Sequence, residues 1–236
     1  YLLGRNQGYL YGGIGCKVYA EFLTEFTDEI IFRDAVKKLI ERHEMLRVQF
    51  SKEGEQRFLP YIFNAPVQIY DIRGWEKEKI KHKILAKREE MQFKQYDPEK
   101  DILFDLCLFI HDNASILCLS LDMLIGDFVS IDLIISDLEK LYNNQKMEKL
   151  TLNFRDYIIY NQNQKEDINF LIKYYEDEKY WLNKVDVFPG KPELYTREEP
   201  EIIRKGTFIC KEYTVDPKKW QYLVSKCEKL NFTPTA

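Results

Sequence analysis

The chain has 236 residues, enough for one large domain or two smaller lobes with separate cores. Hydrophobic residues make up 45% and charged residues 31%, the balance of a soluble globular protein, and a net charge of -4 supplies no basic field for nucleic acid. No apolar run reaches the roughly 18 residues that a membrane-crossing helix takes, and the opening residues lack the basic and apolar regions of a signal peptide. The cysteines Cys16, Cys107, Cys118, Cys210 and Cys227 are scattered and form no CxxC pair. That usage fits a reducing compartment, and a cytoplasmic location is expected. The histidines His43, His82 and His111 stand at no ligand spacing, which argues against a structural zinc and leaves no metal site expected.

In chain order, "YLLGRNQGYLYGG" is turn-rich and "CKVYAEF" (16–22) alternates as a strand does. The glycines of "YGGIGC" (11–16) are followed by no Lys-Ser/Thr pair and preceded by no strand, so they read as a turn and not as a phosphate loop. Thr27 is placed to cap a helix over about 28–43, where Ile31, Phe32, Ala35, Val36, Leu39 and Ile40 recur at helical spacing. "MLRVQF" (45–50) reads as a strand, "KEGE" as a turn, and "QRFLPYIF" (56–63) and "VQIYDI" (67–72) as further strands. A charged amphipathic helix is expected over about 75–93. Two apolar strands then flank "HDNA" (111–114), and a strong helical period runs over 128–142.

"NFRDYIIYNQNQ" and "IKYYEDEKYWLNKV" read as helices, and "FPGKPELYTREEPE" (188–201) as a Pro-rich loop. "GTFICKEYTV" (206–215) reads as a strand, followed by a helix over about 216–230. "FTPTA" (232–236) has the Thr and Pro of a helix start. Strands alternate with helices, yet two adjacent strand pairs are hairpin-like. The expected class is therefore α/β, or α+β, with a mixed sheet.

Chemistry is concentrated in "LSLDMLIGDFVSIDLI" (119–134), where Asp122 ends an apolar strand and Asp127 opens a helix. Two carboxylates at a strand exit suit acid/base work or cation binding. The alternative is structural, with Asp122 a strand-end turn residue and Asp127 an N-cap. His43, at a helix end, is a candidate base or a cap for the last carbonyls. Arg47, between Leu46 and Val48, either faces solvent or is buried against a carboxylate.

Several segments together resemble one family, the heterocyclization domains of nonribosomal peptide synthetases, a branch of the condensation-domain superfamily. "YLLGR" resembles the end of the family's AYxxGR motif, and "GGIGCKVYAEF" the segment after it. "RHEMLR" resembles RHxML, and "DMLIGDFVS" resembles DxxxxDxxS at Asp122, Asp127 and Ser130. "NFRDYI" and "YWLNKVDVFPGKPELY" resemble the fourth region, and "FTPTA" the opening of the fifth. The resemblance spans the whole chain. Ordinary condensation domains carry HHxxxDG here. Aligned on Asp127, Asp122 takes the place of the first histidine, Met123 that of the catalytic second and Phe128 that of the glycine. Methionine cannot move a proton, which favours the heterocyclization branch.

The resemblance implies a chloramphenicol-acetyltransferase-like fold, with residues 1–236 forming its N-terminal lobe and about 230–236 beginning the second. It implies amide formation between a carrier-bound acyl or aminoacyl thioester and carrier-bound Cys, Ser or Thr, followed by cyclodehydration to a thiazoline or oxazoline. The expected partners are upstream and downstream peptidyl carrier domains and a neighbouring adenylation domain. The substrates ride on their 4′-phosphopantetheine arms, so no cofactor of the domain's own is expected. Asp127 is expected to pair with Arg47 and hold the turn. Asp122 is the carboxylate nearer the substrate tunnel, Ser130 completes the motif, and the ring-closing groups belong to later motifs. Two other classes remain open: a degenerate domain that only docks carrier proteins, and a free-standing acyltransferase using a coenzyme A thioester, which would need a histidine where Met123 stands.

Overall fold

The structure, a computed structural model, describes residues 2–5, 13–62, 64–190 and 213–234. The chain divides into two units, residues 1–202 and 203–236. In the first unit, four strands form a sheet: β1 (Lys17–Thr24), β4 (Val67–Asp71), β5 (Phe104–Ile110) and β6 (Ser115–Asp122), in the order β1-β6-β5-β4. β1, β6 and β5 pair antiparallel, while β4 runs parallel to β5, so the sheet is mixed as the sequence suggests. β2 (Val48–Phe50) and β3 (Gln56–Phe58) form a separate hairpin.

The side-chain alternation of β5 and β6 divides the lobe into two layers. Leu106, Leu108, Leu117, Leu119 and Leu121 project to one face. There they meet Phe32, Val36 and Leu39 of α1 (Glu29–Arg42) and Ile131, Ile134 and Leu138 of α3 (Phe128–Tyr142). Cys107, Phe109 and Cys118 project to the other face and pack with Ile72 and with Met91 of α2 (Lys77–Phe93). Covered on both faces, β5 and β6 are almost continuously apolar, which is why they stand out in the sequence.

Local signals set most boundaries. α1 is capped by Asp28, one residue beyond the expected Thr27, with its carboxylate accepting from the N–H groups of Ile30 (2.8 Å) and Ile31 (2.9 Å). The Thr27 N–H donates to the Tyr142 hydroxyl at 3.0 Å. The expected strand 45–50 is shorter, because Glu44–Arg47 is a 3₁₀ turn and only Val48–Phe50 is strand. The next expected strand stops at Phe58, two residues before Pro60, which has no N–H to give a ladder. α4 (Phe154–Gln164) and α5 (Ile168–Val185) follow, and none of their residues is buried. In the second unit, α6 (Pro217–Lys229) starts on an Asp216 cap with Pro217 in the first turn. Most of the expected Pro-rich loop, residues 206–212 of the expected strand and the last two residues of "FTPTA" lie outside the described residues, and 213–215 are not strand.

Leu119 is 1% exposed at the centre of the sheet and Leu23 is 80% exposed on its edge. Leu119→Ala should cost about 2–5 kcal/mol of stability, through lost burial and the cavity left behind, in chemical denaturation. Leu23→Ala should change it by no more than about 0.5 kcal/mol.

Candidate active site

The two carboxylates of DxxxxD occupy opposite environments. Asp122 is the last residue of β6 and is 1% exposed. Like Ser120, it points to the α2 face of the sheet. One carboxylate oxygen forms an ion pair with Arg5, and the other accepts the Leu124 N–H at 3.0 Å. Arg5 also donates to the Tyr96 carbonyl at 3.0 Å, and its guanidinium lies so close to the Gly15 backbone that a Cβ there would meet it at 2.6 Å.

Beside this pair, opposite Asp122 in the β1–β6 register, Lys17 donates to the Met91 carbonyl at 2.7 Å and to that of Lys94, holding the end of α2. Burial lowers the Lys17 pKa to about 8, against the opposing pull of Asp105 and Asp122. Asp105 accepts from the Tyr96 hydroxyl (2.8 Å) and from Lys94 (2.6 Å). Burial, reinforced by the Asp105 charge, raises the Tyr96 pKa well above its usual range. Asp122 is thus one member of a polar layer pinned between the sheet and the end of α2.

Asp127 is exposed and caps α3. Its carboxylate accepts from the Ser130 N–H (2.8 Å) and hydroxyl (2.7 Å), while the Ser130 hydroxyl oxygen accepts from the Asp127 N–H at 3.2 Å. The hydrogen bonds from Ser130 hold the Asp127 pKa below the usual carboxylate value. Gly126 makes room for this box, since a Cβ there would approach the Ser130 Cβ at 2.9 Å. Between the two acids, Met123, Leu124, Ile125 and Gly126 supply no proton-transferring side chain.

The expected Asp127–Arg47 pair does not form. Arg47 sits in the 3₁₀ turn, where it donates to the Leu59 carbonyl and lies 3.6 Å from the Glu44 carboxylate. It braces the β2–β3 hairpin and lines a cleft of about 460 Å³ with Arg33, Lys37 and Tyr61, to which neither Asp122 nor Asp127 contributes. The arginine that neutralises the motif is Arg5, and its acid is Asp122.

His43 and Arg42 of "RHEMLR" converge on Asp137, which no motif in the sequence singles out. Asp137 lies on the inward face of α3 and is 3% exposed. One oxygen accepts from Arg42 Nε (3.0 Å) and meets His43 Nε2 (2.9 Å), and the other lies 3.4 Å from Lys140 Nζ. A second guanidinium nitrogen of Arg42 reaches the Glu148 carbonyl at 2.6 Å. Burial works against the Asp137 carboxylate, but hydrogen bonds from Arg42, His43 and Lys140 outweigh it and the pKa is lowered. The available signal was a carboxylate at i+3 from Ile134 within an apolar stripe. Among the described residues, no group of three or more His, Cys, Asp and Glu side chains could hold a metal ion.

A mixed sheet packed between helices, with a DxxxxDxxS turn at its central exit, is the arrangement of a condensation-type lobe. The family model for the condensation domain matches residues 16–214, and the chain belongs to that family. Bacitracin synthase 1 of Bacillus licheniformis is 32% identical over 239 residues, covering 100% of this chain and 4% of that protein. Pyochelin synthetase PchF of Pseudomonas aeruginosa is 27% identical over 94% of this chain and 12% of its own length. Phenyloxazoline synthase MbtB of Mycobacterium tuberculosis is 25% identical over 98% and 16%. The chain thus spans a small part of the curated relatives it matches. The EpoB cyclization-docking bidomain from Sorangium cellulosum superposes with a TM-score of 0.80 at 24% identity, covering 100% of this chain and 46% of that one, which supports the chloramphenicol-acetyltransferase-like fold.

Removing Arg5 leaves Asp122 buried without its counter-charge, so Arg5→Ala should lower stability by about 3–5 kcal/mol in denaturant titrations. Asp127→Asn should leave stability close to wild type, because Asn caps helices as well as Asp. A third comparison uses pH. A carboxylate whose pKa is lowered on folding stabilises the fold above its ordinary value, here 3.8, and loses that contribution as pH falls through the folded value. The gap in melting temperature between wild type and Asp137→Asn should therefore be full near neutrality and close as pH falls below about 4.

Proposed function

We propose that this chain is the N-terminal lobe of a heterocyclization domain in a nonribosomal peptide synthetase. The observation that carries the reading is the DxxxxDxxS turn in place of a histidine motif, with Met123 where a proton-transferring imidazole would stand. Relatives named for pyochelin and phenyloxazoline synthesis, aligned over nearly the whole chain, support it.

In the proposed reaction the amine of a carrier-bound Cys, Ser or Thr attacks the carbonyl of an upstream thioester. The C–N bond forms, the C–S bond breaks and the pantetheine thiol leaves with a proton. The side-chain thiol or hydroxyl then adds to the new amide carbonyl. The carbonyl oxygen departs as water, taking the nucleophile's proton and the amide proton, and the C=N bond closes a thiazoline or oxazoline. Holding two tethered substrates together supplies much of the rate. The partners are the carrier domains that bear the 4′-phosphopantetheine arms and the adenylation domain beside them, and the setting is cytoplasmic.

Within this scheme Asp122, Asp127 and Ser130 act as framework. Asp122 is committed to Arg5 and the Leu124 N–H, and Asp127 with Ser130 to the α3 cap. The groups that transfer protons in ring closure belong to a second lobe, which residues from about 230 begin. The exposed apolar side chains of α4 and α5, among them Tyr157, Phe170, Tyr174 and Trp181, suit cover by that lobe. Helices of this length are marginal in water without an apolar face to bury.

The test is a mass-resolved assay of the full-length synthetase with a loaded donor carrier and with Cys, Ser or Thr on the acceptor carrier. The expected product is the acyl dipeptide lacking one water. Accumulation of the intact amide would make the domain a plain condensation catalyst, and absence of any amide would make it a docking module. Either result overturns the reading.

A further inference from the structure

We infer that Asp137 is a positioning residue that sets the placement of α3, and through it the DxxxxDxxS turn. Asp137 aside, α1 and α3 meet through apolar side chains, among them Phe32, Val36 and Leu39 and Ile131, Ile134 and Leu138, and through the Tyr142 hydroxyl at the end of α3 far from the turn, which accepts from the Thr27 and Asp28 N–H groups. Apolar contacts of this kind are non-directional, and they tolerate a small slide or rotation of one helix on the other. Hydrogen bonds to a charged group do not, because they fix distance and angle together.

Asp137 concentrates those bonds at one point. Arg42 and His43 reach one carboxylate oxygen from the end of α1, at 3.0 and 2.9 Å. Arg42 carries the tie onward to the Glu148 carbonyl in the connection that leads to α4. The single carboxylate thus joins α1, α3 and the segment that leaves α3. It lies three turns from Asp127, about 15 Å along the helix at 1.5 Å per residue.

At the far end of that lever the tolerance is small. The Asp127–Ser130 box closes only because Gly126 has no Cβ, and the Cβ it lacks would meet Ser130 at 2.9 Å. At the other end of the turn Asp122 is held by Arg5 and by the Leu124 N–H, so a shift of α3 by a few tenths of an ångström has to be taken up within Met123–Gly126. A buried acid on an otherwise apolar stripe costs desolvation and is a weak source of net stability, whereas fixing a unique helix register is a use to which such groups are put.

The inference rests on the heterocyclization reading only for its activity arm. The full-length synthetase carries Asp137→Asn, His43→Ala or His43→Gln. Three quantities are measured: turnover against KM for the acceptor carrier, the melting temperature, and hydrogen–deuterium exchange over 127–134 against β5 and β6. In Asp137→Asn and His43→Ala, kcat should fall about tenfold with KM unchanged, and exchange over 127–134 should quicken about tenfold while β5 and β6 stay protected. His43→Gln, which keeps an N–H donor near the Nε2 position, should restore both to near wild type. Unchanged kcat and exchange in Asp137→Asn, failure of His43→Gln to rescue, or exchange that quickens equally across the sheet would each overturn the inference. A wild type that forms no ring product, while Asp137→Asn still loosens 127–134 selectively, would overturn the reaction and leave the inference standing.

Discussion

A carboxylate moved out of water costs several kcal/mol unless a cation and hydrogen-bond donors go with it, and Asp122 is buried to 1% exposure at the end of the central strand β6. Much of the lobe's arrangement follows from meeting that demand. Arg5 has to cross to the α2 face of the sheet, which draws the LGR segment against Gly15, where only hydrogen fits. Its second bond, to the Tyr96 carbonyl, ties in the chain that leaves α2. Lys17, set opposite Asp122 by the β1 register, takes the last carbonyls of that helix. Three segments far apart in sequence therefore converge beneath one strand end, and the turn that follows starts from a fixed point.

That fixed point explains how four residues separate two acids of opposite fate. Asp122 has a strand-end side chain committed to the inner layer. The chain then turns through Met123–Gly126, and the Ile125 N–H donates back to the Asp122 carbonyl at 3.1 Å. Asp127 emerges at the surface, where an acid is favoured by the helix dipole and by free N–H groups. The exposed Phe128 and Val129 come immediately after it. The spacing thus converts a strand exit into a helix entrance in the least chain that lets each carboxylate find its own donors.

The apolar architecture was legible in the sequence because its signals are periodic. The continuous runs of β5 and β6 and the stripes of α1 and α3 each state a burial pattern without reference to anything distant. The polar contacts were not legible in the same way. Arg42 and Asp137 are 95 residues apart and Arg5 and Asp122 are 117 apart, so their pairing exists only after the sheet has formed. "MLRVQF" has a strand's composition, yet the 3₁₀ turn that follows α1 takes up Met45–Arg47 and points the Arg47 guanidinium at the Leu59 carbonyl across the β2–β3 hairpin. The family resemblance located the motif that matters, but its expected ion pair joined the wrong acid to the wrong arginine.

The energetics of the turn bear on where chemistry is done in the proposed domain. A general base must be free to take a proton near neutral pH, which calls for a pKa near that range and an unpaired lone pair. Asp127 departs from this in both respects, since Ser130 lowers its pKa and occupies its oxygen. Asp122 is engaged by Arg5 and the Leu124 N–H, and reaching substrate would mean abandoning a buried counter-ion. Both acids are thus better suited to holding a shape than to moving protons. On the heterocyclization reading the fold's part is to align two tethered substrates, and the proton transfers of ring closure fall to groups other than Asp122 and Asp127. Alignment without acid/base chemistry is a large contribution, because orienting two bound reactants can supply about 7–11 kcal/mol of a barrier.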